Sequence, residues 1–257
     1  MPAVIGVLGL GEAGGLIAAG LREAGATVRW FDPLPETRPD APSAAAAADG
    51  ADVVLSLTTA AEARAAAESV LGVLRPGQVY ADLNTAGPAL KLELAALVAP
   101  TGAAFADVAL MAPVPGRGLR TPALAAGPGA ARFAAVLRPL GMPVSTAGEE
   151  PGDAARRKLL RSVAWKGIAA VALEALAAAR AAGCEEWMRD ELVALLESGD
   201  AAALDRMVTG SRRHAARREH EMADVAALLR ELGVEPRMSE AARGWLAALR
   251  DDRAPSP

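Results

Sequence analysis

Hydrophobic and polar positions follow two alternating patterns over the first 150 residues. Short, continuously apolar runs are typical of strands buried on both faces, and they predict strands at 4–8, 27–31, 52–57, 78–83, 104–110 and 122–126. Between them, apolar residues at helical spacing predict helices at 13–24, 60–71 and 88–98, with a short helix over the alanines at 44–48. This alternation indicates a parallel sheet covered by helices on both faces.

The pattern changes after residues 145–153. From Ala154 to Arg250 no segment has the pattern of a strand. Helical spacing predicts helices at 153–182, 184–197, 200–209, 211–232 and 237–250, with glycines among the residues that separate them. The sequence therefore predicts an α/β domain with a doubly wound parallel sheet at 1–150, followed by an all-α domain at 151–257.

Composition and charge narrow the class of protein. Apolar residues make up 52% of the chain and the net charge is −4, which favours neither a nucleic-acid partner nor a membrane partner. The single cysteine, Cys184, allows no internal disulfide and fits a reducing cytoplasm. No basic residue precedes Arg22 and Glu12 interrupts the first apolar run, so a signal peptide is not expected. No uninterrupted apolar stretch approaches the length of a membrane span, so we expect a soluble protein.

The first candidate site is a glycine motif between the first strand and the first helix. Gly9, Gly11 and Gly14 have the spacing Gly-x-Gly-x-x-Gly, in which successive glycines allow a tight turn, close approach to a pyrophosphate and helix–strand packing. Asp32 ends the second strand, where a carboxylate binds adenosine ribose hydroxyls. The motif predicts a Rossmann-type dinucleotide site, against the alternative of a glycine turn without ligand. Asp32 favours NAD, while Arg38 in the next loop keeps NADP open.

Four further stretches resemble the β-hydroxyacid dehydrogenase superfamily, which includes 6-phosphogluconate and 3-hydroxyisobutyrate dehydrogenases. They are ADLNTAGPALKLELA (81–95), APVPG (112–116), GDAARRKLLRS (152–162) and HEMADVAALLRELGVEP (220–236). The C-terminal half is similar to one branch, phosphogluconate dehydrogenase-like proteins with a poorly characterised C-terminal domain. The resemblance implies a Rossmann domain, a helical second domain, and a homodimer formed through the second domains.

The resemblance also implies roles for individual residues. It places Lys158 at the catalytic lysine, Asn84 and Thr85 beside the nicotinamide, and His220 at the position of a later lysine. With the glycine motif, the cofactor-binding candidates are Gly9, Leu10, Gly11, Glu12, Ala13, Gly14, Asp32, Thr58, Asn84, Thr85 and His220. The substrate-binding candidates are Pro113, Val114, Arg161, Ser162 and Trp165. The chain departs from the family at Ser162, Pro115 and Trp165, where relatives have Asn, Ser and an acidic residue.

The candidate chemistry is hydride transfer with a lysine as general acid and base. A lysine can exchange a proton with a substrate oxygen when desolvation or nearby cations lower its pKa toward neutrality. Lys158 is flanked by Arg156, Arg157 and Arg161, which also favour an anionic substrate. We therefore expect an NAD(P)-dependent oxidoreductase that acts on a small, anionic hydroxy acid or its keto form.

Two other functions remain open from the sequence. Imine reductases resemble this superfamily but replace the lysine; the retained Lys158 counts against this function, while the lost Asn and Ser keep it open. The other is a dinucleotide-binding protein without catalysis. A metal site is not expected, because His214 and His220 lie on nearly opposite faces of a helix and no Cys or carboxylate cluster completes a site.

Overall fold

The computed structural model describes residues 1–252, which form two compact units. The first unit ends at Arg161 and contains a seven-stranded sheet in the order β2-β1-β3-β4-β5-β6-β7. Its strands are β1 (Val4–Leu8), β2 (Thr27–Phe31), β3 (Val53–Ser56), β4 (Val79–Asp82), β5 (Ala104–Leu110), β6 (Ala123–Ala126) and β7 (Val144–Gly148). Its helices are α1 (Glu12–Glu23), α2 (Ala44–Ala48), α3 (Ala63–Glu68), α4 (Pro88–Val98) and α5 (Ala130–Leu137).

Two hydrophobic clusters cover the two faces of the sheet. Successive strand residues point to opposite faces, so Val53 and Leu55 belong to one cluster and Val54 to the other. Residues of α1 and α5 complete the first cluster, and residues of α2, α3 and α4 complete the second. The predicted α/β fold with a doubly wound sheet is therefore confirmed.

One pair of strands departs from the predicted parallel arrangement. β5 and β6 pair antiparallel, whereas every other neighbouring pair in the sheet is parallel. A parallel connection requires a crossover, usually through an α-helix. Residues 111–122 contain only a short 3-10 turn, Gly118–Arg120, so the chain returns antiparallel.

The sequence pattern missed β7 and α5. β7 lies at the edge of the sheet, where Ser145 and Thr146 are exposed and the continuous apolar run of a central strand is absent. α5 buries Ala130, Phe133 and Leu137 at helical spacing, so its signal was present in the sequence.

The second unit consists of helices. α6 (Asp153–Ala181) begins in the first unit and continues past Ser162, where the second unit begins. It is followed by α7 (Glu185–Glu197), α8 (Ala201–Arg213), α9 (Ala215–Glu231) and α10 (Arg237–Asp251). The break between α8 and α9 falls at His214, four residues later than the sequence pattern predicts, because α8 continues through Gly210.

α6 has an unusual surface. Within residues 1–252 it is the one helix long and apolar enough to cross a membrane by length and composition, and only 6% of its apolar window is buried. A single such helix is weak evidence for a membrane span. The low burial means that the folded chain leaves a long apolar helix surface exposed.

Candidate active site

The glycine motif forms a tight connection between β1 and α1. Gly9 has a φ of +91°, and a Cβ at this position would lie 2.5 Å from the carbonyl oxygen of Leu57. A Cβ at Gly14 would lie 2.0 Å from the carbonyl oxygen of Gly9. At Gly11, by contrast, a Cβ would meet nothing within 4 Å. Gly9 and Gly14 are therefore required by close packing, while Gly11 leaves open space in front of the backbone.

The amino terminus of α1 is suited to an anion. The residue before the helix is Gly11, which has no side chain to cap the N–H groups of the first turn. The first turn contains Glu12, Ala13 and Gly14, whose backbone N–H groups belong to the positive end of the helix dipole. This cradle fits the pyrophosphate of a dinucleotide.

Asp32 is tied to the glycine motif. It follows β2 and is only 8% exposed. One carboxylate oxygen accepts a hydrogen bond from the backbone N–H of Leu10 over 2.7 Å, and the other accepts from that of Leu34 over 2.9 Å. Asp32 therefore fixes the backbone of the motif in addition to any contact that it makes with a ligand.

A cleft of about 650 Å³ opens beside this motif. Gly9, Gly11, Asp32 and Thr58, which the sequence singled out, all line it. Its wall also includes Phe31, Leu34, Thr59, Glu62 and Ser69, which sequence reasoning missed. Phe31 is the last residue of β2 and Leu34 follows it, Thr59 follows β3, and Glu62 and Ser69 flank α3. Their position near the carboxyl edge of the sheet was the available signal.

A second group of site residues lies where β3 and β4 end. The Asn84 amide nitrogen donates to Asp82 Oδ1 over 2.6 Å and to the hydroxyls of Ser56 and Thr58 over 3.2 Å each. Asn84 is 5% exposed, while the next residue, Thr85, is exposed. The amide of Asn84 therefore joins the ends of two neighbouring strands and places Thr85 at the surface.

Lys158 of α6 reaches this loop. Its Nζ donates to Thr85 Oγ1 over 3.0 Å, and the lysine is half-buried. Arg161, one turn further along, donates to the carbonyl oxygen of Met111, next to the 112–116 segment. The structure thus joins Lys158 to Thr85 and Asn84 to Thr58, while the roles of these residues toward a ligand stay predictions.

Below Asn84 lies a buried ionic cluster that the sequence analysis did not identify. The Lys91 ammonium on α4 lies 2.5 Å from Asp82 Oδ2 and 3.4 Å from Asp107 Oδ1, and all three side chains are at most 1% exposed. Burial raises the pKa of Asp82, and the nearby Lys91 charge and the hydrogen bonds from Lys91 and Asn84 oppose that rise. The available signal was Lys91 itself, a charged residue at helical spacing with Leu94 and Val98 on the buried face of α4.

The remaining predicted residues differ in exposure. In the first unit, Pro113 is exposed, whereas Val114 is 5% exposed and packs in the hydrophobic core. In the second unit, Trp165 is 63% exposed, His220 on α9 is exposed and Ser162 is half-buried. Their roles toward a ligand stay predictions. Across residues 1–252 no group of three or more His, Cys, Asp or Glu side chains could hold a metal ion.

Comparisons with known proteins match both parts of the chain. The family model of the NAD binding domain of 6-phosphogluconate dehydrogenase matches residues 4–118, and that of a domain of unknown function (DUF1932) matches residues 179–249. A conserved hypothetical protein from Sinorhizobium meliloti 1021 has 34% identity and a TM-score of 0.64, over 100% of this chain and 92% of that chain. No curated protein gave a significant match.

Two other solved structures extend the comparison. The conserved protein MTH1747, of unknown function and described as similar to 3-hydroxyacid dehydrogenases, has 27% identity and a TM-score of 0.63 over 97% of each chain. An imine reductase variant from Myxococcus stipitatus in complex with NAD+ has 20% identity and a TM-score of 0.81, over 98% of this chain and 95% of that chain. At that identity the likeness concerns the fold.

The fold and the glycine cradle define an NAD-binding protein on the scaffold of NAD(P)-dependent dehydrogenases and reductases. The chain belongs to the β-hydroxyacid dehydrogenase superfamily, in the 6-phosphogluconate dehydrogenase-like branch that carries a DUF1932 domain after the NAD-binding domain.

Proposed function

We propose that the protein is an NAD-dependent oxidoreductase that interconverts a small, anionic hydroxy acid and its keto form, with Lys158 as general acid and base. The observation that carries the proposal is the hydrogen bond from Lys158 Nζ to Thr85 Oγ1, in the loop that follows β4. It joins a titratable amine to the loop for which the family resemblance implies contact with the nicotinamide.

The dinucleotide would lie across the carboxyl edge of the sheet. The first turn of α1 would hold its pyrophosphate, and Asp32 its adenosine ribose. Asp32 and Glu62 both line the cleft, and their negative charges disfavour the extra phosphate of NADP. When bound, the nicotinamide supplies the hydride acceptor or donor.

Lys158 would handle the proton of the reaction. Its amine takes the hydroxyl proton during oxidation and returns it to the carbonyl oxygen during reduction. Thr85 accepts a hydrogen bond from Nζ, which limits the orientations of the lysine side chain. Arg157 and Arg161 are exposed on the same helix, and these cations support an anionic substrate.

Imine reduction is the second candidate function. Ser162 and Pro115 replace residues that hydroxyacid-processing relatives use, and Lys158 can protonate an imine nitrogen as it would a carbonyl oxygen. A dinucleotide-binding protein without turnover is the remaining alternative. All three functions require the same cofactor cleft, so they differ only in the chemistry that takes place once the cofactor is bound.

The test begins with thermal melting in the presence of NAD, NADH, NADP and NADPH. A ligand that binds the native state raises the melting temperature, and we expect the NAD pair to give the larger shift. Hydroxy acids, keto acids and imines are then screened for turnover with the preferred cofactor. Turnover of imines alone would replace the hydroxy-acid assignment, binding without turnover would favour the non-catalytic alternative, and no shift with any nucleotide would contradict the proposal.

We also propose that the protein is a homodimer in the cytoplasm, with α6 of one copy packed against the second unit of the other. Val163, Trp165 and Leu173 are 73%, 63% and 70% exposed, and all three hydrophobic clusters lie within the first unit of the described chain. A second copy would bury this surface by a self-complementary contact. The single cysteine, Cys184, supports a reducing compartment.

The dimer is tested by light scattering after gel filtration. We expect twice the 26.1 kDa chain mass for the native protein and a shift toward the monomer for Val163→Asp. Leu92→Asp, at a 50% exposed position on α4 of the first unit, is the matched control and should not change the mass. A native monomer that floats with lipid vesicles would instead assign the apolar surface to a membrane.

A further inference from the structure

The buried cluster of Asp82, Lys91 and Asp107 contains two acidic side chains and only one basic side chain. Asp82 and Asp107 are register partners on the neighbouring strands β4 and β5, and both are fully buried. Two carboxylates in this arrangement repel each other and are costly to remove from water. Lys91, inserted from α4, lies within ion-pair distance of both and supplies one positive charge for the two negative charges.

Lys91 also holds the loop that carries Thr85. Its ammonium donates to the carbonyl oxygen of Asp82 over 2.9 Å and to that of Asn84 over 3.0 Å. The two carbonyls lie on either side of Leu83, so the ammonium closes the turn in the backbone that follows β4. Because Thr85 comes directly after Asn84, Lys91 fixes the backbone from which the Thr85 hydroxyl projects.

Asp107 holds the start of α6 in the same way. Its Oδ2 accepts hydrogen bonds from the backbone N–H groups of Gly152 over 3.1 Å and of Ala155 over 3.0 Å. These N–H groups stabilise the Asp107 carboxylate at the positive end of the helix dipole. Lys158 follows Ala155 by three residues, about one turn, so the anchor sets the height and rotation of the turn that carries Lys158.

Packing between the two helices reinforces this connection. Gly152 has a φ of +96°, and a Cβ there would lie 3.0 Å from Cβ of Pro88, the first residue of α4. The start of α6 therefore contacts the start of the helix that carries Lys91. The Lys91 ammonium is therefore connected to both partners of the Lys158–Thr85 hydrogen bond. It contacts Asn84, which precedes Thr85, and it contacts Asp107, which anchors the start of the helix that carries Lys158.

We infer that Lys91 is a positioning residue: its ammonium fixes the Thr85 loop and the first turn of α6 relative to each other, and so holds the Lys158 amine at the Thr85 hydroxyl. A purely stabilising role is a poorer account, because buried ionic groups are often no more stabilising than apolar side chains of the same size. The consequence for catalysis rests on the proposed function of Lys158; the geometric claim does not.

The lysine content of the chain provides a direct readout. The sequence contains three lysines, Lys91, Lys158 and Lys166, of which the first is buried, the second half-buried and the third exposed. Native protein is acetylated with a limiting amount of acetic anhydride over a range of pH, and each lysine is quantified by peptide mass spectrometry. In the native protein Lys91 should remain unlabelled while Lys166 reacts. Labelling of Lys91 as fast as Lys166 would overturn the inference without any variant.

The main variant is Lys91→Met combined with Asp82→Asn. It removes one charge of each sign, so Asp107 is left with the N–H groups of α6 and no unpaired charge remains at Asp82. We expect the ratio of Lys158 to Lys166 labelling, and its pH profile, to change by about two- to tenfold, the range that one hydrogen bond contributes. Thr85→Val, which removes the Lys158 partner directly, calibrates the size of the change. Asp107→Asn, which weakens the anchor of α6, is the independent second variant and should shift the same profile.

Kinetics separate this inference from the proposed function. With a substrate in hand, the double variant should lower kcat by about tenfold to a hundredfold, as expected for a displaced catalytic group, with KM for the dinucleotide unchanged. A folded variant that keeps the native Lys158 labelling profile would overturn the inference. An altered profile in a protein that turns over no hydroxy acid or imine would support the positioning role and reject the proposed function.

Discussion

Lys158 and Thr85 are 73 residues apart in the sequence and are joined by a hydrogen bond of 3.0 Å. The contact brings the start of α6 to the loop after β4, within the first unit. The buried cluster of Asp82, Lys91 and Asp107 makes hydrogen bonds to the backbone near each of these two residues. The Lys158 amine, the cofactor cleft and the stability of the helical unit are separate features of the molecule, and each of them can be tested by its own variants.

Replacement of Lys158 by Met should abolish most turnover and leave cofactor binding in place. A positioned general acid or base contributes about 10²- to 10⁴-fold to a rate, and the substitution removes the proton-transferring group while keeping most of the unbranched side chain. The measurement is kcat with the best substrate, together with the melting shift given by NADH. Lys166→Met, at an exposed position on the same helix, is the control and should retain native turnover. Equal activity in both variants would remove Lys158 from the mechanism.

Gly14→Ala should destabilise the first unit, whereas Gly15→Ala should not. A Cβ at Gly14 would lie 2.0 Å from a backbone oxygen, while a Cβ at Gly15 would have its nearest contact at 3.6 Å. We expect a loss of about 3 kcal/mol or more in the free energy of unfolding for Gly14→Ala, because backbone must move. Gly15→Ala should gain up to about 1 kcal/mol from helix propensity. Urea denaturation of both variants measures the difference, and similar stabilities would show that α1 does not pack as described.

Glu62→Gln should shift the cofactor preference toward NADP. Glu62 lines the dinucleotide cleft at the amino terminus of α3, and its side chain caps no backbone group of that helix. Removal of one negative charge near a bound phosphate is worth about 1 kcal/mol in a well-solvated site, about fivefold in relative affinity. The ratio of dissociation constants for NADPH and NADH is measured for this variant and for Glu23→Gln, an exposed control on α1. An unchanged ratio would place Glu62 away from the extra phosphate.

Glu174 should make the helical unit sensitive to acid. Its carboxylate accepts hydrogen bonds from the backbone N–H of Met238 over 2.7 Å and from the N–H and hydroxyl of Ser239 over 2.8 and 2.6 Å, at the start of α10. Burial would raise the pKa of Glu174, but these hydrogen bonds outweigh it and hold the pKa below its ordinary value. The stabilising effect is therefore complete above about pH 4.5, the ordinary pKa, and is lost as the pH falls through the lower pKa of the folded state.

Glu174→Gln tests this pH dependence. At neutral pH the variant should lose about 1 kcal/mol of stability, as expected for a lost helix cap, and the difference from the native protein should shrink below about pH 4.5. Thermal melting as a function of pH gives both results. Glu197→Gln, at an exposed position on α7, is the control. A difference that stays constant with pH would mean that the carboxylate charge does not support α10.

The sequence by itself determined the class of fold and the first half of the cofactor site. β1, β2 and β5 have the predicted bounds, and the interior strand β1 is continuously apolar because both of its faces are buried. Gly9 and Gly14 were identifiable because only glycine tolerates the backbone clashes at those positions. The resemblance of the 152–162 segment to known relatives singled out Lys158.

Only the tertiary structure decided which distant side chains meet. The sequence shows Lys91 only as a charged residue on the apolar face of a helix. The packing of β4 and β5 places its partners Asp82 and Asp107 beside it. Glu174 and Ser239 are 65 residues apart, and no local pattern records that one caps the helix of the other. Likewise, the polar edge strand β7 gave no apolar signal, and the antiparallel turn into β6 follows from the absence of a crossover helix. Periodicity reports which face of an element is buried; the partner on that face is set by long-range packing and by the need to pair every buried charge.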